Sequence, residues 1–190
     1  MRNASYILFT LFVALLVGFG SAFFMLENGR RITAQQYGAW IGWVNAGGAD
    51  TDPYHKAGLA RTGALQLGRA EGLVFSASQD DNGDRLDGKC SYLISGSTPR
   101  ASIWTLRATE VTSNDPTIKT PNYLTSLQVN RHPDGGFDII AAPQAQPGNW
   151  LNTMDIGKMK FTLSFYDTNA FLVVGHESVV LPTVQKVSCS

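Results

Sequence analysis

Little in this chain is charged. Asp, Glu, Lys and Arg make up 16% of its 190 residues, fifteen basic side chains balance fifteen acidic ones, and the formal net charge is zero. The basic residues do not cluster, so the electrostatic footprint of a nucleic-acid binder is missing. Histidine is scarce too: His55, His132 and His176 lie far apart. Metal ligands on a β-sandwich usually include two from one strand, spaced to share a face. No histidine pair has that spacing, so each is read as a surface residue and no metal site is expected. A Gly-x-Ser-x-Gly nucleophile elbow is absent, as are internal repeats and low-complexity tracts. On these grounds no catalytic residue and no cofactor are assigned, and the reading leans away from an enzyme.

What the chain does have is a long apolar start. Ile7 to Met25 carries no charged residue, with Arg2 ahead of it and Glu27, Arg30 and Arg31 behind. At about 1.5 Å per residue such a run spans the roughly 30 Å hydrocarbon core of a bilayer. There every backbone polar group must be satisfied internally, so the run has to be helical. The expectation is a single-pass anchor in a bacterial inner membrane. The alternative is a cleaved signal peptide, with Gly20-Ser21-Ala22 as its small-x-small site. Cleavage there would expose Phe23-Phe24-Met25-Leu26 as a new terminus, and the run continues through the site, which favours retention.

Charge does not orient the anchor, because Arg2 and the α-amino group roughly balance Arg30 and Arg31 offset by Glu27. The very short basic tail ahead of the run resembles a signal-anchor and puts the bulk of the chain in the periplasm. The two cysteines, Cys90 and Cys189, fit one disulfide in an oxidising compartment, tying an early strand to the C-terminal tail. Two buried or idle thiols are the open alternative.

After Leu26 about 160 residues remain, enough for one domain with a real core. Low charge with abundant Gly, Ser, Thr and Asn suits an exported, turn-rich β protein. Ile32, Gln36, Trp40 and Trp43 fall at helical spacings between Arg30 and Gly48, which predicts a short amphipathic helix. Asp52-Pro53 is a helix start, with the helix running through Tyr54, Leu59 and Ala60 to Gly63.

From Gly72 the grammar is that of strands. Leu73–Ser78 and Lys89–Ser95 flank the turn Asp80-Asp81-Asn82-Gly83-Asp84 and read as a hairpin. Ser102–Thr109 is a third strand, and Thr112–Tyr123, with two prolines, is a loop. Leu127–Asn130 and Phe137–Ala141 flank Pro133-Asp134-Gly135-Gly136 as a second hairpin. After a loop at Pro143–Asn149, Phe161, Leu163 and Phe165 alternate cleanly with Lys160, Thr162 and Ser164. Phe171–Val174 and Ser178–Leu181 supply the last strands. The fold class is mainly β: a jelly-roll-like antiparallel β-sandwich behind a transmembrane helix and a short helix. Residues 1–31 are the anchor with its flanks, 32–51 a linker and 52–190 the sandwich domain.

A set of short motifs recurs in a fixed order. Asp52-Pro53-Tyr54 is followed by Gly63-Ala64-Leu65, Leu86-Asp87-Gly88-Lys89-Cys90 and Trp104-Thr105-Leu106. Pro147-Gly148-Asn149-Trp150-Leu151 and Phe165-Tyr166-Asp167-Thr168 complete it. Together they resemble the bacterial domain of unknown function 1214, over roughly Asp50 to Ser190. The resemblance implies a jelly-roll-like sandwich. In related two-domain proteins it follows a companion, the domain of unknown function 1254, which points to a separately encoded protein partner. The family has no established catalytic residues, so no site residue is carried over.

Three features invite chemistry. Asp80, Asn82 and Asp84 occupy the first ligand positions of an EF-hand loop, but Arg85 stands where its glycine belongs and Ser91 where its glutamate belongs. The turn is therefore read as a solvated hairpin tip. Glu71, Asp87, Asp138 and Asp167 are carboxylates a glycosidase would need in pairs, and sequence does not pair them. Trp104, Trp150 and Tyr166 carry rings able to stack on sugars. Trp104 is read as core, leaving Trp150 and Tyr166 as ligand-contact candidates. The function expected is a non-catalytic, membrane-anchored binding module of the cell envelope; the alternative is a carbohydrate-active or carbohydrate-binding envelope protein.

Overall fold

A computed structural model describes residues 2–32, 34–43, 51, 53, 56–57, 60, 72–111, 122–168 and 180–189. The chain divides into two compact units, one made of Met1–Ala34 with Asn45–Gln66 and the other of Gln35–Val44 with Leu67–Ser190. In the first unit, helix α1 runs from Arg2 to Ile32. Its 23-residue stretch Asn3–Met25 is long and apolar enough to cross a membrane. Two hydroxyls within it bond to the helix itself: Thr10 donates to the Tyr6 carbonyl and Ser21 to that of Gly18. Pro53, Lys56, Ala57 and Ala60 are helical. The rest of the helix expected after Asp52 lies outside the described residues.

The second unit is β throughout its described residues. One sheet contains β1 (Gln35–Tyr37), β2 (Trp40–Gly42), β3 (Gly72–Ala77), β5 (Ile103–Glu110), β6 (Tyr123–Thr125) and β9 (Met159–Tyr166), in the order β1-β2-β3-β9-β5-β6. The other contains β4 (Cys90–Gly96), β7 (Phe137–Ala142), β8 (Asn149–Asn152) and β10 (Thr183–Cys189), in the order β10-β4-β7-β8. Every pairing is antiparallel except β7 with β8, which is parallel. A six-stranded sheet and a parallel pair depart from the all-antiparallel jelly-roll pattern expected from strand spacing.

The core lies between the two sheets, built from alternate residues of each strand. Phe161, Leu163 and Phe165 of β9 point inward as their alternation predicts, joined by Trp104 and Leu106 of β5 and Leu73 and Phe75 of β3. Tyr92, Ile94, Phe137, Ile139, Leu151 and Val184 face them from the other sheet. Ring contacts cross the gap, Trp104 to Phe137 at 5.1 Å and Tyr92 to Phe161 at 6.1 Å between centroids. Trp104 is 2% exposed, a core ring as read from sequence.

Several local expectations fail for non-local reasons. Gln35–Gly42 is a β-hairpin on the edge of the six-stranded sheet, not a helix. Ladder bonding to β3 and burial of Trp40, whose indole donates to the Pro182 carbonyl at 2.6 Å, override the helical spacing. β3 and β4 do not form a hairpin. Ser78 to Leu86 is a tight corner, closed by Leu86 N–H to Ser78 O and Asp80 N–H to Asp84 O. Beyond it the strands enter opposite sheets.

Leu127–Asn130 is irregular, and the strand before the second turn is Tyr123–Thr125. The last described strand is Thr183–Cys189; of the strand expected at Ser178–Leu181, Val180 and Leu181 are outside any strand, and the other two residues lie outside the described ones. Phe171–Val174 and residues 112–121 of the expected loop lie outside the described residues.

Candidate functional site

The side chains with most chemical potential meet at one end of the four-stranded sheet. Ser95 on β4 and Asp138 on β7 are directly opposed in the ladder, so their side chains leave the same outer face. The Ser95 hydroxyl donates to Asp138 Oδ1 at 2.6 Å. Beside it, His132 Nε2 stands 3.3 Å from Asp138 Oδ2. His132 is held by the turn before β7, its N–H donating to Gly136 O and its carbonyl accepting Gly135 N–H. The backbone of Asp138 is fixed as well, since Asn149 Nδ2 donates to its carbonyl at 2.8 Å and to that of Asn130 at 2.9 Å. These groups border an open groove of about 290 Å³ floored by Phe137. Behind it, the Arg131 guanidinium lies 5.9 Å from the Trp104 ring centre and 5.8 Å from that of Phe137, closing the end of the core.

This is not a nucleophilic triad. There the imidazole sits between hydroxyl and carboxylate and takes the hydroxyl proton. Here the carboxylate sits in the middle and itself receives the serine hydrogen. The cluster offers a carboxylate with half its surface in water, a hydroxyl and an imidazole. No local pattern assembles it, because the β4–β7 register that pairs Ser95 with Asp138 spans 43 residues.

The other candidates scatter. Trp150 is half-buried on the outer face of the four-stranded sheet, its indole N–H donating to Ala142 O at 2.9 Å. Tyr166 ends β9 in the six-stranded sheet, so the two rings do not share a sheet. Asp87 accepts the Lys89 N–H and Asp167 accepts the Ser102 hydroxyl, both as turn supports. Glu71, His55 and His176 lie outside the described residues. Cys90 and Cys189 are register partners of β4 and β10 and are joined by a disulfide, with Cα atoms 4.0 Å apart.

The acidic turn is exposed from Asp81 to Asp84, as expected of a solvated tip, but its first carboxylate is not. Asp80 is 2% exposed and its Oδ1 accepts the N–H groups of Asn82 and Asp84. Asp81 accepts from Ala39 N–H with one oxygen and from Val184 N–H with the other, and Asp84 pairs with Lys186 at 2.7 Å. These carboxylates hold the β1–β2 turn and β10 in place. Among the described residues, no group of three His, Cys, Asp or Glu side chains could hold a metal ion.

In the motif Leu86-Asp87-Gly88-Lys89-Cys90 the glycine is fixed by packing. A Cβ on Gly88 would lie 2.1 Å from the Ile156 carbonyl oxygen, so only glycine fits there. The loop before β9 closes onto that point, with Gly88 N–H donating to Gly157 O, Thr153 Oγ1 to Gly88 O and Met159 N–H to Leu86 O.

The architecture is thus a mainly β, two-sheet domain following an N-terminal apolar helix. The family model described as Protein of unknown function (DUF1214) matches residues 71–170. This chain belongs to the DUF1214 family. Among solved structures it resembles the VPA0106 protein from Vibrio parahaemolyticus, with a TM-score of 0.59 and 18% identity over 93% of this chain and 45% of that one. An uncharacterised protein from Burkholderia cenocepacia gives a TM-score of 0.46 and 16% identity over 86% of this chain and 38% of that one. The chain thus spans less than half the length of either. No curated protein matches it.

Proposed function

We propose that this is a non-catalytic, membrane-anchored interaction module of the bacterial cell envelope. In this reading α1 stays uncleaved in the inner membrane as a single pass, residues 1–31 are the anchor with its flanks, and the sandwich faces the periplasm. The hairpin Gln35–Gly42, within the stretch 32–51 first read as linker, joins the sandwich of 52–190 through its place in the sheet. The protein partner carries the companion domain of the 1254 type on a separate chain. The observation that carries the reading is the apolar stretch Asn3–Met25 ahead of the two-sheet domain, long and apolar enough to cross a membrane, while the partner follows from the family resemblance. The disulfide supports the periplasmic side, because such bonds persist in oxidising compartments.

The test is isolation from bacterial membranes. The full chain should resist high-salt and alkaline washes and keep its N-terminus by intact mass. Crosslinking on intact spheroplasts should join its sandwich to a protein carrying the companion domain. A soluble chain beginning at Phe23 overturns the anchor, and crosslinks solely to cytoplasmic proteins overturn the orientation. An anchored, outward-facing chain that never crosslinks to a companion domain overturns the partner.

A further inference from the structure

We propose that the outer face of the four-stranded sheet around Asp138 is a glycan-binding site. This inference stands on the sandwich alone and does not rest on the anchor or the protein partner. The ladder sets two rows of outward side chains side by side. One crosses all four strands as Gln185, Leu93, Ile140 and Trp150, each the register partner of the next. The inward neighbours Tyr92, Ile94, Ile139, Ala141 and Leu151 are buried, which fixes the outward facing of this row. The adjoining row is Thr183, Ser95 and Asp138, with His132 leaning on Asp138. Asp138 lies two residues along β7 from Ile140, the register partner of Trp150, so the two side chains are diagonal neighbours on one face.

A sugar ring has an apolar C–H face and an edge of hydroxyls, and these two rows offer the matching pair. Trp150, with its indole N–H already bonded to Ala142 O, has its ring held without using a ligand group. Asp138 is acceptor-only when ionised and has about four lone-pair sites. Ser95 and His132 engage one site on each oxygen, so each oxygen has a site left for a vicinal hydroxyl. Hydrogen bonds to an ionised acceptor are the strong ones. Three side chains, Ser95, His132 and Asn149, hold Asp138 before any ligand arrives, which lowers the ordering cost of binding. The groove of about 290 Å³ beside Ser95, His132 and Asp138 has room for the hydroxyl edge of one sugar unit, with Trp150 outside its lining on the neighbouring strand.

The test uses the full-length protein in a detergent without a sugar headgroup, with cellotetraose, maltotetraose and a glucosamine tetramer as probes. Binding is followed by saturation-transfer NMR and tryptophan fluorescence. At least one probe should bind saturably. Asp138→Asn should weaken it about tenfold or more, Trp150→Phe severalfold, and Gln144→Ala, on a separate groove beside Gly88, by less than about twofold. If Asp138→Asn lowers the melting temperature markedly, Ser95→Ala and Trp150→Phe carry the test. Absence of saturable binding to all three probes at about 10 mM overturns the proposal. So does binding that the Asp138, Ser95 and Trp150 variants leave unchanged.

Discussion

Two acidic turns of similar composition do opposite things in this molecule. Asp80-Asp81-Asn82-Gly83-Asp84 turns its carboxylates inward and sideways: Asp80 is buried, Asp81 grips β10 and the β1–β2 turn, and Asp84 pairs with Lys186. Pro133-Asp134-Gly135-Gly136, followed by Asp138, leaves its carboxylates at the rim of a groove. Asp134 does no more than cap the Gly136 N–H, and Asp138 stays half exposed. The difference comes from what surrounds each turn. The first sits where the chain crosses between sheets and two edge segments bring N–H groups to it, so Asp80 and Asp81 are taken up by backbone donors while Asp84 stays 62% exposed. The second precedes a strand at an open sheet end, where the Asp138 carboxylate is met by two side chains, Ser95 and His132.

The strongest way to break that contrast is to free β10. Replacing Cys90 and Cys189 by serine opens a loop with a sequence separation of 99 and should cost up to about 4–5 kcal/mol in the chain-entropy model. Hydrogen exchange should quicken at Asn82 and Asp84 before it does at Gly135 and Gly136. Uniform quickening would mean the first turn is not held through β10. In the native protein, alkylation under denaturing, non-reducing conditions should label neither cysteine; two labelled thiols would reject the bridge.

Next in size are the carboxylates themselves. Asp80→Ala leaves the Asn82 and Asp84 N–H groups without their acceptor and should cost about 2–3 kcal/mol. Asp138→Ala removes an exposed pairing and should cost less than about 1 kcal/mol. Equal losses in chemical denaturation would erase the distinction between a structural and an available carboxylate.

How much of this was legible in the sequence follows the same division. The β9 strand was readable because its alternation is local, one residue in and one out from Met159 to Tyr166. Trp104 was readable as core because a ring within an apolar strand has few other places to go. The corner at Asp80–Asp84 was not, since a turn fixes only its own few residues and says nothing about which sheet each arm joins. The β1–β2 hairpin was missed because its spacing fits a helix and only pairing with β3 decides otherwise. Of the glycan face, Trp150 is visible in the sequence as a ring beside a Pro-Gly-Asn turn, though it lies in β8. Asp138 and His132 stand out in the sequence as a carboxylate and an imidazole, but nothing local joins them to each other or to Ser95, since no pattern says that β4 lies beside β7.

A smaller effect separates the turns by pH. Burial pushes the Tyr92 hydroxyl above its ordinary value of 10.0, against the opposing pull of the Asp87 N–H that donates to it. The hydrogen bond to Asp84 likewise raises the Lys186 ammonium above 10.5. Both groups hold their protons more tightly in the folded state, so their contribution is complete below about pH 10 and is lost as pH rises through the folded values. Thermal melts should be level up to about pH 9 and fall beyond about pH 10. Lys186→Met should flatten part of that fall while leaving the Tyr92 share. A stability that climbs above pH 10 would contradict both assignments.

The smallest prediction is that the two turns behave alike in one respect. Gly83 and Gly135 have φ of +88° and +85°, and a Cβ at either would meet nothing within 4 Å. With no steric contact, alanine is penalised only by the left-handed backbone, about 1–2 kcal/mol. Restricting the unfolded chain returns about 0.4–1 kcal/mol of that. The net cost of Gly83→Ala and of Gly135→Ala should therefore be about 0.5–1 kcal/mol, and equal within error. Equality would place the contrast between the turns in their carboxylates and neighbours rather than in their backbones. A Gly83→Ala loss several times that of Gly135→Ala would instead mean that strain at Gly83 is passed to the Asp81 contacts with Ala39 and Val184, making the first turn a single rigid clasp.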